Sequence, residues 1–204
     1  MNPVYNNSSR QIDWNRVFHP AIEAASRVMG VWTQGRVSLS LEEVCEIPLD
    51  ALGDAVRNAQ EPAVIISLGV DGDVSGRFLF ALDDAGAERL VALLLDRGCR
   101  GSAEWSELER SALLETGNIL GSAYLSALTN VVGMRLLPTP PEMIRDYLSC
   151  VLEQAVMIQA LQSDTLLLAH TCFRHGDQRV DWNLVFVPSP ELLELLRRNS
   201  EGRS

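Results

Sequence analysis

One order of elements is written twice along this 204-residue chain, and that constrains its fold more than any other feature. A long helix with one apolar face, a strand, an irregular stretch, a β-hairpin and a further helix follow one another in residues 13–100 and again in 103–198. The run RFLFALDDAGAERLVALLL (77–95) matches WNLVFVPSPELLELL (182–196) in pattern: alternating strand residues, a capping position, then leucines at helical spacing. Each half offers about three strands, too few for a sheet with two buried faces. The halves are therefore expected to share one α/β (α+β) sheet of six strands, mostly antiparallel, with two long helices related by a pseudo-twofold axis. That is a single domain over 1–204, with the polar residues 1–12 as a loose arm.

The first long helix is expected to begin at Asp13 or at Pro20, whose missing N–H suits a first turn, and to run to Thr33. Alternation predicts strands over 37–41, 63–69 and 77–82, with a hairpin turn at Asp71, Gly72 and Gly76. A short helix is expected within 48–60, and another, capped by Asp83 or Asp84, after the hairpin. Ser106 followed by Glu109 is a capping box that opens the second long helix, which continues to Val131 or Val132. A strand at 134–137, a proline turn at 138–141 and a short amphipathic helix to about residue 152 come next. Strands over 156–162 or 165–173 and over 180–187 precede a last helix opened by Ser189 and Pro190.

Composition removes several classes of function. The formal net charge is -10 and 22% of residues are charged, so the surface repels phosphate backbones and anionic lipid. Nucleic acid and membrane are poor partners for it. Cys45, Cys99, Cys150 and Cys172 form no CxxC pair, which argues against a zinc site or a redox motif, and Cys150 reads as a buried small hydrophobe. No basic segment followed by an apolar run suggests a secretory signal, and no apolar stretch is long enough to span a bilayer. A reducing cytoplasm fits these features.

The chemistry concentrates on the second long helix. At about 100° per residue, Ser111, Glu115, Asn118 and Ser122 fall on one narrow stripe, while Leu113, Leu120, Tyr124, Ala127 and Val131 point away from it. Gly117 and Gly121 form a small-residue ridge suited to close packing on a sheet. An exposed face of an amphipathic helix would carry such residues without any function. Asn118 is the exception, because a mid-helix Asn competes for backbone hydrogen bonds and is unfavourable there.

Ser111, Glu115 and Asn118, followed after 22 intervening residues by Pro141, resemble the active-site signature of the CheC/CheX/FliY family of chemotaxis phosphatases. The flanks LLETGNILGSAYLSAL and LLPTPPEMIRDYL resemble the second half of a CheC-type protein. The resemblance covers about residues 105–150 closely and the repeat architecture loosely. It implies a CheC-like duplicated fold. Aligned on the strands, Arg16 and His19 stand where the first half would carry Glu and Asn, and Glu42 where it would carry Pro. One active face is therefore expected, and His19, next to Pro20, is expected to serve helix entry.

The resemblance further implies hydrolysis of the aspartyl phosphate of a CheY-type response regulator. On that reading Asn118 positions the attacking water, Glu115 docks against the regulator's active-site Lys, Ser111 adds a polar contact and Pro141 shapes the turn. The Mg2+ belongs to the regulator, so the chain needs no cofactor of its own. Two other classes stay open: a non-catalytic adaptor for a phosphorylated regulator or for CheD, and a flagellar switch component. The switch reading expects a further domain, for which nothing after Asn199 offers the length.

Overall fold

The strand order reads the same from either end once the halves are exchanged. A computed structural model of the chain describes residues 12–51, 55, 61–99, 101, 104–147, 149–151 and 165–201. Helix α1 (Trp14–Trp32) leads into β1 (Ser38–Pro48) and a 3-10 turn (Leu49–Ala51). The hairpin β2 (Pro62–Gly72) and β3 (Gly76–Asp83) and helix α2 (Asp84–Leu94) complete the first half. The second half runs through α3 (Glu107–Val132), β4 (Leu136–Pro138), β5 (Glu142–Tyr147), β6 (Thr165–His175), β7 (Gln178–Pro188) and α4 (Pro190–Glu201). Across the sheet the order is β1, β6, β7, β3, β2, β4, with β5 also on β2, and every pairing is antiparallel. Exchanging β1 for β4 and β5, β2 for β6 and β3 for β7 reverses this order onto itself.

Alternation along the strands gives the sheet two faces. One face, with Val64, Ile66, Leu68, Phe78, Phe80, Leu184 and Phe186, joins Phe18 of α1, Leu90 of α2, Leu120 and Tyr124 of α3 and Leu192 of α4 in the main core. At the centre Phe78 and Phe186 are register partners whose rings stack with centroids 4.2 Å apart. The other face carries a smaller cluster of Ile65, Leu79, Leu166, Leu168, Val185 and Val187. The helices α1 and α3 bury matching positions. Val17, Phe18, Ala21, Ile22, Ala25 and Met29 recur, 99 residues later, as Thr116, Gly117, Leu120, Gly121, Tyr124 and Leu128.

The capping box opening α3 is formed: Ser106 N–H donates to Glu109 at 2.6 Å, and Glu109 N–H to Ser106 Oγ at 3.4 Å. Gly133, in the left-handed region at φ 70°, closes the helix. Asp83 caps α2 through the Gly86 N–H.

Several expectations are corrected. Among the described residues the sheet has seven strands, because its sixth position is divided between β4 and β5. Residues 142–147, read as helical from their amphipathic spacing, instead pair with β2 from Pro62 to Ser67. An open sheet edge overrode a weak local preference. β1 extends to Pro48 because β6 pairs with it along its whole length. Of the two starts expected for α1, Asp13 is the one found, as its N-cap, while Pro20 lies inside the helix and His19 is an exposed mid-helix residue 3.6 Å from Glu23 with no capping role. Cys150 is exposed. Of the short helix expected in 48–60, the 3-10 turn is described and most of the rest lies outside the described residues, as do 156–162.

Candidate functional site

α3 can lie against the sheet because it has no side chains where it touches β2. A Cβ on Gly117 would sit 2.4 Å from Ile66 Cγ2, and one on Gly121 would sit 2.7 Å from Leu68 Cδ1. The glycine ridge thus faces the sheet, and the stripe on the other side of the helix faces water. Ser111, Glu115, Asn118 and Ser122 are all exposed.

Beside this stripe runs the edge of the sheet. Val70 pairs with Pro138 and Ser67 with Glu142. Two residues of β2 therefore face three, Thr139, Pro140 and Pro141, which is a one-residue bulge. Prolines are tolerated at such a place because an edge bulge has no ladder bond for their missing N–H to break. Thr139 ties the bulge to β2, its N–H donating to the Gly69 carbonyl at 2.9 Å and its Oγ1 accepting from the Gly69 N–H at 2.8 Å.

Helix and bulge enclose a groove of about 500 Å3 lined by Ser111, Leu114, Glu115 and Asn118 on one side and by 138–141 on the other. All four residues singled out in the sequence, Ser111, Glu115, Asn118 and Pro141, line it. Ser122, on the same stripe, does not. Leu114, Pro138, Thr139 and Pro140 were not foreseen as lining. The run of prolines signalled a turn, but its closeness to α3 depends on pairing across 70 residues of chain, between Gly69 and Thr139.

The first half carries the same bulge without the groove's chemistry. Leu39 pairs with Phe173 and Glu43 with His170, so β1 also has one residue in excess, and Glu42 is the unpaired one. Glu42 is drawn away to Arg179 in an ion pair, and Leu41 packs against the core. Arg16 and His19 are exposed on α1 at the positions matching Glu115 and Asn118.

Among the described residues no group of three or more His, Cys, Asp or Glu side chains is placed to hold a metal ion. In the same residues no helix is long and apolar enough to cross a membrane.

Fold and groove together define a duplicated α+β protein of CheC-like architecture, with a polar helix face beside a proline bulge. No family model matches the chain. It is similar to the CheY-P phosphatase CheC of Bacillus subtilis, 30% identical over 113 residues that make up 54% of each chain. A putative CheY-P phosphatase CheC1 of Halobacterium salinarum is 28% identical over 123 residues, 60% of each chain. The matched region thus spans about half the length of these curated relatives. Among solved structures, FliY of Thermotoga maritima superposes with a TM-score of 0.76 over 98% of this chain and 100% of its own, at 12% identity. CheX in the CheX–CheY–BeF3–Mg2+ complex of Borrelia burgdorferi superposes with a TM-score of 0.53 over 87% and 98%, at 18% identity. The chain is thus similar in sequence to CheC proteins over about half its length, and it shares its fold with FliY and CheX.

Proposed function

We propose that this protein dephosphorylates a CheY-type response regulator at its phosphorylated aspartate, using the groove between α3 and the proline bulge. The observation that carries the reading is that Pro141, well separated along the chain, lines one groove with Ser111, Glu115 and Asn118. The names of the two curated relatives support the substrate class.

An acyl phosphate is already reactive, so a catalyst needs mainly to hold water in line with phosphorus and tolerate the charge that develops. Water adds to phosphorus, the bond to the aspartyl oxygen breaks, and inorganic phosphate and the free carboxylate leave. The carboxamide of Asn118 suits the water-holding role because its oxygen accepts and its NH2 donates without titrating. Glu115, three residues earlier, stands about 4.5 Å back along the helix axis, where its charge can meet the regulator's lysine. The prolines supply a stiff wall on the other side. A shallow, open groove also fits a protein partner better than a small molecule, which pockets usually enclose.

The test is the decay of phosphorylated CheY-type regulator with parent or variant chain present. Asn118→Ala is expected to lower the catalysed rate by on the order of a hundredfold, the scale of one lost oriented contact in a transition state. Stability should hold or rise slightly, since Ala is the better helix former. Asn118→Asp should also be slow, because a carboxylate meets the acyl phosphate as a like charge. A variant as fast as the parent would remove the reading.

A second reading has its own support. FliY and the FliM of the Helicobacter pylori FliM–SpeE complex, which superposes with a TM-score of 0.66 over 97% of this chain, share the whole fold. A chain that binds the phosphorylated regulator without accelerating its decay would point to an adaptor or switch-associated role.

A further inference from the structure

The proline wall of the groove is fastened by a single side chain. Opposite Leu68 and Gly69 the ladder between β2 and its edge partners is interrupted, and Pro140 and Pro141 have no N–H with which to restore it. Thr139 closes the gap alone. Its backbone N–H satisfies the Gly69 carbonyl, its Oγ1 accepts from the Gly69 N–H at 2.8 Å, and the same hydroxyl donates to the Pro140 carbonyl at 3.4 Å. The hydroxyl therefore links the rigid sheet to the first proline of the wall.

Gly69 is cut to fit this contact. A Cβ there would come within 3.0 Å of Thr139 Cγ2 and 3.1 Å of Oγ1. Residue 69 belongs to the row with Ala63 and Ile65, which faces away from α3, so Thr139 holds the bulge from beneath while the prolines stand against α3 above.

We infer that Thr139 is a positioning residue for the groove: its bond to Gly69 seats the Pro140–Pro141 wall beside Asn118 without itself reaching the reacting atoms. The inference rests on the proposed phosphatase reading for its kinetic consequence only. The wall's register with α3 decides where a docked regulator places its phosphoryl group relative to Asn118, and misplacement by about 1 Å can cost up to a hundredfold in rate. A seating role thus affects the saturating rate more than affinity.

Three variants of the full chain test this. Thr139→Val keeps shape and loses the hydroxyl, Thr139→Ser keeps the hydroxyl, and Gly69→Ala pushes on the contact from the sheet side. The readouts are the saturating rate of regulator dephosphorylation, affinity for beryllofluoride-loaded regulator, the thermal midpoint, and the side-chain amide resonance of Asn118. Thr139→Val and Gly69→Ala are expected to lower the saturating rate about tenfold, with affinity within about threefold and a shifted Asn118 resonance. Thr139→Ser should stay within about twofold of the parent with the resonance in place. The inference is overturned if Thr139→Val keeps the parent rate and resonance, or if Thr139→Ser loses as much as Thr139→Val. A parent that does not accelerate decay removes the phosphatase reading alone. The Asn118 resonance then decides: shifted in Thr139→Val and not in Thr139→Ser sustains the seating role, and unshifted in both ends it.

Discussion

Gly117→Ala tests how α3 comes to lie where it does. In an unobstructed helix this change should stabilise by about 1 kcal/mol, the difference in helix propensity. Here the new Cβ would stand 2.4 Å from Ile66 Cγ2, more than 1 Å closer than the roughly 3.5–4.0 Å at which carbon atoms pack. Ile66 is fully buried and branched at Cβ, so the methyl cannot rotate away cheaply. Either the helix rises or the side chain leaves its rotamer, at the cost of about 1–3 kcal/mol typical of overpacking. The two terms leave a net destabilisation of up to about 2 kcal/mol, or a thermal midpoint lower by up to roughly 4–8 °C for a chain of this size. Thermal and urea unfolding of the parent, Gly117→Ala, Ile66→Ala and the double variant form a cycle. Ile66→Ala removes the obstructing methyl, so the double variant should be more stable than the sum of the two single changes predicts. A gain of the full propensity difference by Gly117→Ala, with no coupling in the cycle, would refute the close-approach argument.

Tyr124 is fully buried and its hydroxyl has no partner among the described residues, so burial drives its phenol pKa upward. Removing an unsatisfied buried group relieves a penalty of about 1–3 kcal/mol less the packing of one oxygen, so Tyr124→Phe should hold or raise the urea midpoint. The Glu109 carboxyl is lowered to about 2 by the Ser106 hydroxyl and backbone N–H and then by Arg97. A depressed carboxyl gives its full contribution above its ordinary value of 4.5 and loses it as pH falls toward 2. The difference in thermal midpoint between parent and Glu109→Gln should therefore be largest above that ordinary value and shrink in acid. Arg16→Ala combined with His19→Ala should leave regulator dephosphorylation within about threefold of the parent, as exposed changes away from the groove do. A hundredfold loss with the fold intact would place activity on the first half as well.

The duplication was legible because both periodicities recur in the same order, and the helix stripe because 3.6-residue spacing gathers Ser111, Glu115 and Asn118 without tertiary information. The glycine ridge was legible for the same reason, and Ile66 and Leu68 lie beneath it. What could not be read was decided by pairing across the sheet. Glu142–Tyr147 has a helix-like spacing, and only the open side of β2 makes it a strand. Pro20 looked like a start because nothing local shows that Trp14, Val17 and Phe18 are buried and carry the helix back past it. Thr139 carried no signal at all, since its partner Gly69 is supplied by the other half of the chain.

The interleaving of the halves also sets when the chain can fold. β1 pairs with β6, from Ser38 with Arg174 to Pro48 with Thr165, so β1 meets its neighbour only after all the elements between them have been synthesised. Until then β1 has no strand beside it, and β3 lacks β7 on the far side of the hairpin. Contacts this distant in sequence slow folding and prolong exposure of strand edges. A stop before β6 therefore strands β1 and leaves β3 unpaired on one side, not a truncated protein with one intact unit.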